Sequence, residues 1–557
     1  MLSKIYLPHM NIIPRMINNA FGDREPWQIA AVTCTATLST IWLWNFLCQD
    51  ETLYKRGKKQ LFKLARRYVP SIRKKVQEQC ISITQSFEKE FIGRIGEVPF
   101  LVQLPDTGLS DELIMDVIKT HVEMNGGFNW KAGLVSGTVY RVDDNLSQLM
   151  GKVYTAASYT NPLHPDVFTG ICKLEGEVVR IACRLFHGDE ETCGTMTTGG
   201  TESILLACKT YRDYAREVKG IKKPEIVMPV TAHAAFEKAA QFLNIKMRIV
   251  PVNEHSFTVS IKAMKSMITR NTIMLVGSAP NFPYGTMDNI EAISELGVKY
   301  NIPVHVDACL GGFLICFMAE SGYPLPPFDF RLPGVTSISA DTHKYGYAPK
   351  GSSLILYRNK NYRHYQYTIS TDWPGGIYGS PTINGSRSGG VIAACWATLM
   401  HFGHNGYVES TKKILQTAKY VEKRLREIDE IFIFGTPVTS VIAIGSNVFH
   451  IYRLAEFLRN EGWNLNTLQF PCSIHICLTH VHTKPGVAEK LLKDVKAGVL
   501  KSMHQEQDQI KGEYAIYGMS QTIPDRSLVG DFTKFYLDSM YYTREHSMSC
   551  WKEYFTD

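Results

Sequence analysis

The sequence predicts an α/β protein: a mostly parallel sheet flanked by helices, a smaller C-terminal α/β lobe and one N-terminal transmembrane helix. Three observations predict it. After Gly199, short apolar runs recur with helical segments between them: EIVMPV (Glu225–Val230), KMRIVPV (Lys246–Val252), TIMLVGSA (Thr272–Ala279), PVHVDA (Pro303–Ala308), VTSISA (Val335–Ala340) and SSLILY (Ser352–Tyr357). Strands alternating with helices give βαβ units and a mostly parallel sheet. The region from Gly389 to about Pro471 reads as helix, and SIHICLTHVH (Ser473–His482) then alternates like a strand, which marks the smaller lobe. Finally, Trp27–Cys48 contains no charged residue, and about 20 such residues suffice to cross a bilayer.

Each element carries its own signal. Glu202–Val218 places Leu205, Cys208, Tyr211 and Ala215 on one helical stripe. The uncharged segment carries Trp27, Trp42 and Trp44 near its ends, where aromatic rings favour the headgroup zone. Ten Lys or Arg residues follow between Lys55 and Lys75, against Lys4, Arg15 and Arg24 before the segment. The positive-inside rule then puts residues 1–26 in the lumen and the body in the cytosol. Residues 49–110 read as a basic helical linker, 111–390 as the catalytic domain and 391–557 as the smaller domain and tail.

Composition excludes several classes. At 557 residues the chain is too long for one core. It is 45% hydrophobic and 20% charged, as globular proteins are. The net charge of +7 sits largely in the basic run, so the main body gives no sign of nucleic-acid binding. Thirteen scattered Cys do not form a disulfide framework and fit reduced thiols facing the cytosol. PCSIHICLTHVH looks like a metal box, but its spacing is that of a strand, and no metal is expected.

Four segments carry the chemistry. Thr198-Gly199-Gly200-Thr201 precedes a helix, where free N–H groups and the helix dipole receive an anion. His233 follows the strand EIVMPV and is placed either to stack on a flat ring or to cap a helix. Asp307 ends the strand PVHVDA, where a carboxylate can keep a pyridine nitrogen protonated. Lys344 follows VTSISA within Ser339-Ala340-Asp341-Thr342-His343-Lys344, and a desolvated lysine there is the Schiff-base residue. Phosphate cup, stacking imidazole, ring-nitrogen acid and lysine are what pyridoxal 5'-phosphate (PLP) requires. All four fall at strand ends, where α/β sheets bind ligands.

NPLHPD (Asn161–Asp166), TTGGTES (Thr197–Ser203), HVDACLGGF (His305–Phe313), SADTHKYGYAPKG (Ser339–Gly351) and GGIYGSPTINGSR (Gly375–Arg387) resemble the sphingosine-1-phosphate lyase family. These are fold-type I, group II decarboxylase-like PLP enzymes, and the resemblance runs from about Asp111 to Gln521. Tyr284, Thr198 and Tyr159-Thr160 depart from the family pattern.

The resemblance implies that Lys344 holds the cofactor, and that His343, Thr198, Gly199, Gly200 and Thr201 take its phosphate, with Ser380 reaching in from a second subunit. It implies Asp307 on the ring nitrogen and His233 on the ring face. Asn161, His164 and Tyr140 would line the substrate side, and Lys350 and Arg387 would serve the substrate phosphate or proton transfer. The implied reaction cleaves the C2–C3 bond of a phosphorylated sphingoid base to a long-chain aldehyde and phosphoethanolamine. Tyr140, Lys350 and His164 are equal candidates for the C3-hydroxyl base. A homodimer tethered to the endoplasmic reticulum membrane is also implied. Two rivals stand beside this reading: an amino-acid decarboxylase, and a catalytically weak membrane scaffold.

Overall fold

The computed structural model describes residues 18–19, 21–47, 53–96, 98–124, 126–504 and 527–543. Residues 1–17, Cys48, the start of the linker and most of the C-terminal tail lie outside these. The chain divides into two units, one of residues 1–110 with 519–557 and one of 111–518.

In the second unit a seven-stranded sheet has the order β1-β7-β6-β5-β4-β2-β3. Its strands are β1 (Cys193–Thr197), β2 (Glu225–Pro229), β3 (Lys246–Val250), β4 (Thr272–Ser278), β5 (Val304–Asp307), β6 (Val335–Ala340) and β7 (Ser353–Tyr357). Strand β7 runs antiparallel to both β6 and β1, while the β6-β5-β4-β2-β3 pairings are all parallel. The mostly parallel sheet is therefore as the sequence predicts. Strands β4, β5, β6 and β7 are buried along their whole length, which explains continuous apolar runs instead of alternation. Strand β1, CGTMT, has no such run, and the sequence reading missed it.

A second sheet, β10-β11-β13-β12, comprises β10 (Phe432–Ile433), β11 (Val441–Gly445), β12 (Asn466–Leu468) and β13 (Ser473–Cys477), all antiparallel. Three of these strands interrupt the stretch read as helix. They are too short for a periodicity signal. A separate hairpin pairs β8 (Thr368–Ser370) with β9 (Tyr378–Ser380). The long helix Gly389–Leu425 bends at Gly403, whose φ of 57° favours glycine.

The first unit holds helices Pro26–Leu47, Leu53–Tyr68, Pro70–Ile95 and Ser527–Ser539. The last packs on Pro70–Ile95, so the tail groups with the N-terminal helices and not with the small lobe. The expected transmembrane helix is not supported. Helix Pro26–Leu47 has the 22-residue length, but Gln28, Thr33, Thr35, Thr37, Ser39 and Thr40 dilute its apolarity. Among the described residues, no helix is long and apolar enough to cross a membrane.

Candidate active site

Strands β1, β2, β5 and β6 point the same way, so their carboxyl ends share one edge of the sheet. The loop after β6 carries Lys344, whose Nζ lies 2.9 Å from Asp341 Oδ2. That carboxylate is buried, and its Oδ1 has no hydrogen-bond partner. Burial works against a charge on Lys344, but the Asp341 carboxylate, with Asp307 beyond it, outweighs burial and raises its pKa. His343 donates through Nδ1 to the Ser352 carbonyl and places Nε2 3.7 Å from Asp341. Burial lowers its pKa, against the pull of Asp341.

The cup at the end of β1 meets the same carboxylate. Helix Gly200–Lys219 begins there. A Cβ on Gly200 would come within 2.8 Å of Asp341 Oδ1 and Cys309 Sγ, whereas one on Gly199 would meet nothing within 4 Å. Gly200 is thus a true close approach, and space remains open above Gly199. Thr198 is turned aside, because its N–H and hydroxyl both donate to Glu202 Oε2, at 2.7 and 2.6 Å. Glu202 Oε1 accepts from the Ile383 N–H at 3.0 Å and so ties the cup to the loop after β9. The sequence reading missed Glu202. Its signal was a glutamate at the third helical position after a Thr-Gly cap, a place from which it can reach back to orphan N–H groups. Thr201 lies exposed on the helix's first turn.

Asp307 ends β5, buried, and its Oδ1 accepts from the Cys309 N–H at 3.1 Å and the Ser339 hydroxyl at 3.3 Å. His233 follows β2, one residue before the helix N-cap Ala234, and its Nδ1 accepts the Ala235 N–H at 3.1 Å. Its ring remains exposed and sits edge-on to Phe282 at 6.3 Å.

On the substrate side, Lys350 Nζ lies 5.1 Å above the buried Tyr140 ring, which packs edge-on against Tyr345 at 4.9 Å. Burial, then the charges of Cys477 and Asp341, hold Tyr140 well above its ordinary pKa. Lys350 is exposed as a residue, yet partial desolvation of its amine and then the Lys344 charge lower its pKa. Asn161 bonds Ser386 Oγ and accepts the Leu163 and Arg387 N–H groups, which locks its loop to that segment. His164 is exposed. Arg387 does not stand free for a substrate phosphate, since it is half of a largely buried ion pair with Glu175. Ser380 donates to the Thr382 and Asn384 carbonyls of its own loop.

Of the departing residues, Tyr284 is packed among Phe257 and Phe434, at 4.7 and 5.3 Å, and Tyr159 is 95% exposed.

These residues fit PLP. A lysine amine, a buried carboxylate oxygen lacking a partner and a glycine cradle that a Cβ would fill converge on one point. One prediction follows from the Lys344–Asp341 pair. Covalent capture requires the neutral amine. A raised lysine pKa keeps the amine protonated to higher pH, so capture accelerates as pH rises. In Asp341→Asn the raising charge is gone and burial remains, so that rise is expected at lower pH. Stopped-flow absorbance of PLP added to the stripped protein across pH 6–10 checks this; an unmoved profile would show that Asp341 does not govern the amine.

The pyridoxal-dependent decarboxylase conserved domain matches residues 148–444. Sphingosine-1-phosphate lyase of Drosophila melanogaster is 56% identical over 527 residues, covering 95% of this chain and 96% of that one. Sphingosine-1-phosphate lyase 1 of Mus musculus is 49% identical, over 95% of this chain and 92% of its own. A solved sphingosine-1-phosphate lyase from Burkholderia pseudomallei superposes with a TM-score of 0.71 at 39% identity, over 76% of this chain and 97% of that one. Glutamate decarboxylase of Lactobacillus brevis, at 20% identity and a TM-score of 0.63, shares the fold. Lysine, acid and glycine cup occupy the strand ends of a sheet common to these PLP enzymes, and the identity extends along almost the whole chain: it belongs to the sphingosine-1-phosphate lyase family.

Proposed function

We propose that this protein is a PLP-dependent lyase that cleaves the C2–C3 bond of phosphorylated sphingoid bases, releasing a long-chain aldehyde and phosphoethanolamine. The observation that carries the reading is Lys344, held by buried Asp341 against the Gly200 helix start, in a chain 56% identical to a sphingosine-1-phosphate lyase. PLP supplies an electron sink for the bond that breaks. The protein's own residues do the rest. Lys344 anchors the cofactor and Asp307 holds the ring-nitrogen proton. The Gly199–Thr201 helix start, with His343, receives the phosphate, and His233 covers the ring. Between Lys350 and Tyr140 as acceptors of the C3-hydroxyl proton, Lys350 is favoured. Its lowered pKa brings the neutral amine nearer working pH, whereas the raised pKa of Tyr140 makes that phenol a poor acceptor.

Purified protein given sphingosine 1-phosphate should yield aldehyde and phosphoethanolamine in equal amounts. Release of CO₂ from glutamate or an aromatic amino acid, without cleavage of the lipid, would establish the decarboxylase instead.

The protein works as a homodimer. The segment around β8 and β9 exposes Ile369, Trp373, Ile377 and Ile383, an apolar stretch suited to a second copy. Light scattering checks this, and a strictly monomeric active enzyme contradicts it. The protein also sits on the cytosolic face of the endoplasmic reticulum membrane, where its lipid substrate is concentrated. Helix Leu53–Tyr68 carries seven Lys or Arg and no acid, and leaves Tyr54, Leu61, Leu64 and Tyr68 exposed on one stripe, the pattern of an in-plane interfacial helix. Release from microsomes by deletion of residues 1–95 is the expected result; unchanged binding would exclude this attachment.

A further inference from the structure

Behind Asp307 lies a chain of buried side chains on β5 and β6. Ser337 Oγ is 2.8 Å from His305 Nδ1, and His305 Nε2 is 3.1 Å from Ser339 Oγ. Ser339 in turn donates to Asp307 Oδ1 at 3.3 Å. Ser337, His305 and Ser339 are fully buried. The register explains the alignment: His305 and Asp307 are two apart on β5 and share a face, as do Ser337 and Ser339 on β6, and the strands pair His305 with Ser337 and Asp307 with Ser339.

The proton order in this chain follows from the Ser339 donor. The Ser339 hydroxyl donates its one hydrogen to Asp307 Oδ1. Ser339 Oγ must then accept from His305, so Nε2 carries the hydrogen. Nδ1 is left as the acceptor for Ser337. Burial pushes His305 down to about 4, against the pull of Asp307, so the ring is neutral and can be donor at one nitrogen and acceptor at the other. Phe236 lies edge-on to it at 5.9 Å and fixes its plane. Cys309, the neighbouring thiol, also bonds Ser339, and burial holds it well above its ordinary pKa, so it meets the Ser339 oxygen as a neutral S–H and leaves the hydroxyl hydrogen to Asp307.

We infer that His305 is a positioning residue: locked as the Nε2–H tautomer, it directs a one-way hydrogen-bond relay, Ser337 to His305 to Ser339 to Asp307, that holds the Asp307 carboxyl group aimed at the PLP ring nitrogen. This rests on the reading of Asp307 as the ring-nitrogen partner. The relay acts without touching cofactor or substrate. A neutral imidazole between two hydroxyls gives the carboxyl group a fixed donor at a buried position, and a fixed donor sets the direction of the oxygen that accepts it.

Two measurements on the full-length protein test it. Nitrogen-15 spectra of histidine-labelled protein, with the His305 signals assigned by their loss in His305→Gln, should show a protonated Nε2 and an unprotonated Nδ1, unchanged between pH 6 and 8. The opposite tautomer, or an imidazolium, overturns the relay. The second uses PLP labelled at its ring nitrogen. Ser339→Ala should shift the ring-nitrogen signal toward its neutral form and weaken PLP retention about tenfold, the scale of a hydrogen bond to a charged group. Ser339→Thr, which keeps the hydroxyl, should restore both. A Ser339→Ala protein with wild-type signal and retention overturns the proposal. Asp307→Asn separates the two layers: if it leaves the ring-nitrogen signal unmoved, the Asp307 assignment fails and takes the relay's purpose with it, while the His305 tautomer still decides whether the relay exists.

Discussion

Lys344→Ala is expected to abolish covalent cofactor retention and to lower activity by on the order of 10³- to 10⁴-fold, the scale on which removing a member of a catalytic unit is felt. The wild-type protein should be yellow and should fix PLP irreversibly on borohydride reduction at Lys344; the variant should do neither. Its fold should survive, because the Nζ makes its ion pair with Asp341 alone among the described residues and lies at the open edge of the sheet, not in the core. The variant does leave the Asp341 carboxylate buried without a counter-charge, which costs stability. The double variant Lys344→Ala, Asp341→Asn should therefore melt higher than the single one. A coloured, borohydride-fixable cofactor in Lys344→Ala would remove this lysine from the mechanism.

Asp307→Asn is expected to reduce kcat by on the order of 10²- to 10³-fold with a much smaller effect on KM, as when one preorganised electrostatic partner is lost. The amide has the carboxylate's shape and still accepts from the Cys309 N–H, so packing is retained. What goes is the negative charge at the carboxyl end of β5. Steady-state kinetics on sphingosine 1-phosphate, with circular dichroism as a check on folding, reads the result. An equal rise in KM at constant kcat would mean that Asp307 binds substrate and does not tune the cofactor.

The N-terminal segment shows where local reading went astray. Counting charges correctly found an uncharged stretch ending near Leu47, and the helix is there. Spanning a membrane depends on summed apolarity, however, and six polar residues between Gln28 and Thr40 defeat it. Arg387 is a second case. A lone cation near a substrate segment looks available in one dimension, yet Glu175 lies more than two hundred residues earlier and claims it. Glu202 was passed over, and Asp341 was read as a structural residue at its strand end, for the converse reason: each stood in a motif, but its partners, Ile383 and Gly200, lie on other strand ends.

By itself the sequence determined the alternation of strands and helices, the parallel core of the sheet and the positions of Lys344, Asp307, His343 and Gly200. These are local matters. Buried strands must be apolar throughout, glycines must open a helix that receives an anion, and a residue just past a strand must lie at its carboxyl end. Only the tertiary structure decided which side chains meet. It turned β7 antiparallel, so that β1 joins the sheet through it and brings the glycine cup against Asp341. It set β5 and β6 in the register that joins His305 to Ser339 and Ser339 to Asp307. Side-chain direction depends on strand pairing and burial, which link residues far apart in the chain, and no periodicity within a single segment encodes those pairings.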